Sequence, residues 1–314
     1  MIRRLISGLV VAGLALAIGG STRAQETDDT LSAALDYLRT VQGEDGGFSN
    51  GFAPESDLGA TADAVVAIAA AGEDVAEYAA GDDQTPLDAL GALIEAGVAD
   101  ENAGQLAKVI TALVAAGEDP SDFNGRDLVS DLLALQGEEG TFGMGAFDHC
   151  LSVIALQNAG EPLPDGALDA LLAAQNDDGG WGFIADQASD TNTTGLCLQA
   201  LAREDAEDAV SSGLDYLASI QNEDGGWPYQ SPSDFGTTSD ASSTALVVQA
   251  LIALEEDLTE WNNPQDFLTG LQEESGAFRY QDEMPGDNIL ATIGAIPALA
   301  GVPLNHWAPE SVAE

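Results

Sequence analysis

One seven-residue segment recurs along the chain and restricts its fold more than any other feature. Residues 221–227 read Gln-Asn-Glu-Asp-Gly-Gly-Trp; 175–181 and 42–48 are close copies, while 136–142 and 272–278 keep the Gln, one Gly and the aromatic. Such a period marks an array or a closed ring of like units. Each copy follows a helix-period apolar stripe seven, four and one residues before its Gln: Leu35, Leu38, Val41; Val129, Leu132, Leu135; Leu168, Leu171, Ala174; and Leu214, Leu217, Ile220. A stripe of this kind is one buried helix face. The second unit keeps it as Leu87, Leu90 and Leu93 but has Ile94 in place of the Gln, and the last unit keeps Leu268 and Leu271.

Behind each motif lies a loop and then an Ala-rich segment apolar nearly all round: 61–71, 105–116, 148–159, 191–202, 241–254 and 289–300. A helix apolar on every side is buried on every side. The pattern therefore predicts six inner helices, six one-sided outer helices and an all-α (α/α)6 toroid with parallel inner helices, running from about residue 30 to 301 as a single domain within 25–314. Gly72, Gly117 and Gly160 stand where helices end in a left-handed residue. Asp57, Asn102, Asp190, Asp240 and Asn288 stand at or near helix starts, where a short polar side chain caps exposed N–H groups.

Charge narrows the partners. With 54 acidic and eight basic residues and a net charge of −46, the chain is unsuited to nucleic acid or to an anionic membrane surface, both of which are held through Lys and Arg. Residues 1–24 give a basic start, an apolar run and a small-x-small site ending at Ala24, the order of a cleaved secretory signal, so a secreted or periplasmic protein is expected.

The stripe followed by Gln-x-x-x-Gly-Gly-Trp resembles the QW repeat of squalene–hopene and oxidosqualene cyclases. The six-hairpin layout resembles the wider group of terpenoid cyclases, protein prenyltransferase β subunits, cobalamin carriers and complement thioester domains. The resemblance covers nearly the whole chain and implies that Gln42, Phe48, Gln136, Gln175, Trp181, Gln221, Trp227 and Gln272 staple the ring. The catalytic signatures of these relatives are incomplete here. Class II cyclases use the middle Asp of an Asp-x-Asp-Asp-Thr-Ala run as acid, and the matching positions hold Ser242 and Asn192, which lack a carboxyl group. Residues 147–151 echo the His-bearing helix of zinc prenyltransferases without the Asp-x-Cys partner, so no metal and no cofactor is expected.

The function expected from this pattern is non-catalytic binding of a bulky small molecule, cobalamin-like or isoprenoid-like, or of another extracellular protein, in the central cavity. The alternative is an isoprenoid cyclase or prenyltransferase-type enzyme with a non-standard acid. The long loops between outer and inner helices carry aromatics, which places a ligand mouth at Phe52, Phe183, Tyr229, Phe235 and Tyr280, with Asp57, His149, Thr194, Asp240, Thr244 and Thr292 beneath. Cys150 and Cys197 fall on consecutive inner helices, two positions apart in the repeat frame, a placement compatible with a disulfide.

Overall fold

A computed structural model describes residues 11–79, 84–234 and 236–309, with side chains from residue 25 onward. Its helices alternate along the chain. The outer set is α1 (Val11–Val41), α3 (Pro86–Glu95), α5 (Leu128–Leu133), α7 (Ala167–Ala173), α9 (Glu207–Ile220) and α11 (Pro264–Gly270). The inner set is α2 (Leu58–Ala70), α4 (Ala103–Ala115), α6 (Ala146–Asn158), α8 (Thr191–Leu201), α10 (Ala241–Ala253) and α12 (Ile289–Ala300). Each inner helix packs on the next, and α12 packs on α2, so the ring is closed. Burial separates the two sets: α8 buries all of its residues except Asn192, whereas α9 buries only Gly213, Tyr216, Leu217 and Ile220. No described helix is long and apolar enough to cross a membrane. Of the expected signal, residues 1–10 lie outside the described residues.

The first three inner helices begin two or three residues before the expected points, because their caps lie further upstream. Asp57 accepts from Ala60 N and Asn102 from Gln105 N, so helical geometry starts directly after each. Helix α6 starts instead after Gly145 with no side-chain cap, and Asp148, expected at its start, lies within its first turn. Inner helices end as the glycines predict. Gly72, Gly117 and Gly160 are left-handed, and the amides of Glu73, Glu118 and Glu161 reach back to the last turn.

The recurrent motif is the joint between neighbouring hairpins. The side-chain amide of Gln175 donates to Gly179 O at 2.7 Å within its own turn and to Ala209 O at 2.9 Å on α9. Gln221 bridges Gly225 and Trp261 in the same way, Gln136 bridges Gly140 and Asp165, and Gln272 bridges Gly276 and Thr30. The last bridge ties the sixth motif to α1 and closes the outer ring. Trp181 and Trp227 are fully buried, and their indole N–H groups donate back to Leu171 O and Leu217 O of their own outer helices. Gln42 reaches Gly46 O within its own turn. In the second unit, Ile94 fills the Gln position as a buried apolar side chain.

The first Gly of each turn meets two demands at once. Gly179 has φ of +89°, and a Cβ there would collide with the Ser212 carbonyl on α9. Gly72 shares the left-handed backbone at +81° but has open space around it. Gly72→Ala is therefore expected to cost about 1 kcal/mol in urea unfolding, the backbone penalty alone, and Gly179→Ala at least twice as much. Equal losses would show that the hairpins do not meet at this turn.

Candidate active site

The loops that follow the motifs lie over the starts of the inner helices and form one rim. Backbone bonds fix them there: Thr191 N donates to Tyr229 O and Ala241 N to Tyr280 O, so the loop of one repeat covers the inner helix of the repeat before it. Exposed large apolar side chains gather on this rim. Phe52 is 92% exposed, and Phe183 and Tyr229 are 41% and 44% exposed. Met144, Met284 and Leu290, which the sequence reading did not single out, join them and leave only Val98 elsewhere among the described residues. Phe235 lies outside the described residues. Tyr280 is half-buried on the same rim.

Below the rim, the helix-capping acids differ in setting. Asp57 is partly exposed and also accepts from Asn50. Asp190 and Asp240 are nearly fully buried at 2% and 1% exposure. Each accepts the backbone N–H and hydroxyl of the residue three ahead, Thr193 or Ser243. A rim tyrosine stands close enough to each to feel its charge, Tyr229 beside Asp190 and Tyr280 beside Asp240. Burial pushes both carboxyls above the usual Asp range, against the opposing pull of these hydrogen bonds. Burial, with the nearby Asp240 charge, likewise raises the Tyr280 phenol to about 12.

Four residues expected beneath the mouth belong to the scaffold. The hydroxyls of Thr194, Thr244 and Thr292 accept from the backbone N–H of Trp181, Trp227 and Phe278, at 2.8 to 3.0 Å, and all three are fully buried. Thr61 does the same for Phe48. In the third repeat His149 takes the threonine's place. Its Nδ1 accepts from Phe142 N at 3.0 Å, which leaves Nε2–H to donate to Ala167 O at 2.9 Å. Both ring nitrogens are thus engaged, and burial lowers the imidazole pKa. Cys150 and Cys197 form a disulfide joining α6 to α8, with Cα atoms 5.1 Å apart.

The inner helices enclose a lumen of 270 Å3, at the small end of the ~300–1,000 Å3 usual for small-molecule sites. Its wall follows a register that the caps set. Counting from each cap residue, position +2 gives Phe147, Asn192, Ser242 and Leu290, and position +6 gives Asp63, Lys108, Leu151, Leu196, Leu246 and Gly294. Position +9 adds Val66, Gln249 and Pro297. The two positions where cyclases of this layout carry an acid therefore do face the lumen, as Ser242 and Asn192. Asp63 and Lys108 pair at 2.6 Å and are the charged side chains of this wall. Leu304 forms the far end. Its N–H donates to Gln199 Oε1 and its carbonyl accepts from Asn158, while Asn305 Nδ2 donates to Gln199 O. Sequence reasoning missed Asp63, Lys108, Gln249 and Leu304. The signal for Lys108 was available, since it is the single lysine of the chain and interrupts an otherwise apolar helix face.

A closed ring of helix hairpins with a one-ended lumen defines an α/α toroid. The sequence profile of the prenyltransferase alpha-alpha toroid domain matches residues 10–209 and 194–295, and the chain belongs to that family. No curated protein sequence matches it. Among solved structures it is similar to a variant of the type II terpene cyclase MstE from Scytonema bound to geranylgeranyl dihydroxybenzoate, at 16% identity and a TM-score of 0.65 over 90% of this chain and 98% of that one. It is also similar to ent-copalyl diphosphate synthase from Streptomyces platensis, at 20% identity and a TM-score of 0.54 over 78% of this chain and 50% of that one. A third similar structure is a glycosidase variant bound to glucose, at 14% identity and a TM-score of 0.59 over 94% of this chain and all of that one.

Non-catalytic binding, the function expected from the sequence, is corrected by the comparisons. Similar solved toroids include terpene cyclases held with substrate or product. The acid position of class II cyclases is filled by Ser242 and Asn192, and buried Asp240 and Asp190 stand two residues before them.

His149 gives a direct check on its scaffold role. Its folded pKa lies below the unfolded value of about 6.5, so the unfolded chain binds the proton first and stability falls as pH drops below that value. His149→Thr, which restores the residue of the other repeats, is expected to remove that component. The difference in unfolding free energy between variant and parent should move in the variant's favour from pH 7 to pH 5.5, by at most about 1.4 kcal/mol per pH unit in urea unfolding. A constant gap would contradict the buried neutral histidine.

Proposed function

We propose that this chain is an isoprenoid cyclase-type enzyme that binds a bulky isoprenoid in its lumen and starts ring closure by protonating it. The observation that carries this reading is a buried carboxylic acid that caps a lumen helix two residues before a wall position, Asp240 before Ser242. Asp240 is the more deeply buried of the two candidate acids, and it caps α10, the helix that presents Ser242, Ala245, Leu246 and Gln249 to the lumen. Burial shifts its carboxyl toward the protonated form, the direction a general acid needs.

The step follows from that arrangement. The Asp240 proton goes to the terminal alkene carbon of the substrate, whose π electrons form the new C–H bond and leave a tertiary carbocation. An internal alkene of the same molecule attacks that cation and closes the ring. Loss of a proton from the neighbouring carbon to the Asp240 carboxylate restores the acid and releases a neutral product. The apolar walls, among them Leu151, Leu196, Leu246 and Ile293, keep water from quenching the cation. Ser243 donates its backbone N–H and its hydroxyl to Asp240 and holds the carboxyl in place.

The fold similarity to MstE supports an isoprenoid of this kind, since that protein is held with a geranylgeranyl substrate. Geranylgeranyl and farnesyl compounds incubated with the purified protein are expected to give cyclic products detectable by gas chromatography. Asp240→Asn should lower turnover by about 10² to 10⁴, the usual contribution of a positioned acid, and Asp190→Asn should lower it less. Full activity in Asp240→Asn would remove Asp240 from the mechanism.

A further inference from the structure

We infer that the lumen selects an uncharged isoprenoid alcohol and rejects the corresponding diphosphate; this rests on the cyclase reading and names its substrate class. The cations among the described side chains make the case against a diphosphate. Lys108, the single lysine, is neutralised by Asp63 at 2.6 Å. Arg39 is held by Asp36 and Glu73, Arg126 by Asp100 and Asp131, Arg279 by Glu273 and Asp282, and Arg203 by the carbonyls of Ala308 and Pro309. None of these arginines lines the lumen. Helix starts elsewhere attract phosphate, but here Asp57, Asp190 and Asp240 already cap three of them. A net charge of −46 further opposes the approach of a polyanion.

The case for an alcohol comes from the equivalence of two repeats. Gln199 and Gln249 occupy the same position, nine residues after their caps. Gln199 Oε1 accepts from Leu304 N at 2.8 Å, where the tail closes the lumen. Gln249 faces the same space and is 3% exposed, yet among the described residues its Oε1 has no hydrogen-bond partner. A buried acceptor left without a donor costs about 1–3 kcal/mol, and a ligand hydroxyl supplies that donor. The Asp63–Lys108 pair lines the same lumen from α2 and α4 and offers both a donor and an acceptor while adding no net charge. A hydroxyl supplies the donor that Gln249 lacks, whereas a bare hydrocarbon leaves it unsatisfied.

Affinities of farnesol, its hydrocarbon counterpart farnesene and farnesyl diphosphate, measured by native mass spectrometry on the intact protein, separate the possibilities. The parent protein should bind farnesol about tenfold or more tighter than farnesene and farnesyl diphosphate weakest. Gln249→Leu should bring farnesol and farnesene to similar affinities, with no loss of melting temperature because it removes an unpaired acceptor. Lys108→Met should weaken farnesol and leave farnesene unchanged. Equal binding of farnesol and farnesene by the parent, a preference that survives Gln249→Leu, or tightest binding of the diphosphate would overturn the inference while leaving the cyclase reading in place. Binding of none of the three would overturn both.

Discussion

The structure depends on a side-chain amide that reaches across a joint. Each bridging glutamine satisfies a carbonyl of its own turn and a carbonyl of the next outer hairpin, and four such bridges, at Gln136, Gln175, Gln221 and Gln272, run around the ring. The neighbouring left-handed glycine permits the close approach that makes the bridge short. The aromatic that follows sends its backbone N–H inward to a threonine of the inner helix. One seven-residue segment thereby connects an outer helix, the next outer helix and an inner helix. Individual hydrogen bonds contribute about 1 kcal/mol, so their effect comes from repetition around a closed circle.

That scaffold fixes the register of the lumen. Because the aromatics of five repeats hold their inner helices at the fourth residue after the cap, the inner helices present equivalent positions at equivalent heights. The chain spends this equivalence on difference: at +6 the same position is Asp63, Lys108, leucine in three repeats and Gly294 in the last. Identical joints hold unlike walls. The tail from Gly301 onward then closes one end with Leu304, leaving the rim of exposed aromatics and methionines as the open end.

The sequence displayed the ring, the joints and the caps, because each rests on a local pattern with a fixed spacing. Gln42 to Phe48 and its copies are readable by eye, and so are the apolar inner helices. It concealed the site for a physical reason. Which residues face a lumen depends on helix phase relative to five neighbours, and Asp63 or Gln249 looks like any polar interruption of an apolar helix. The threonines misled for the opposite reason: Thr194, Thr244 and Thr292 recur beside the mouth, but recurrence marked the joint. His149 stood out as one of two histidines and proved to be the third repeat's version of that threonine. Absence of an acid at Ser242 and Asn192 argued for a carrier, and the proposed alternative rests on the burial of Asp240 and Asp190, which no local pattern announces.

The chemistry assigned to Asp240 makes one claim above the others, that a solvent-exchangeable proton becomes part of the product. Incubation of the purified protein with geranylgeraniol in D2O, followed by mass spectrometry of the cyclised product, addresses it directly. The account predicts a cyclic product carrying one deuterium at the carbon that accepts the proton. A cyclic product without deuterium, or no cyclic product at all, would contradict it.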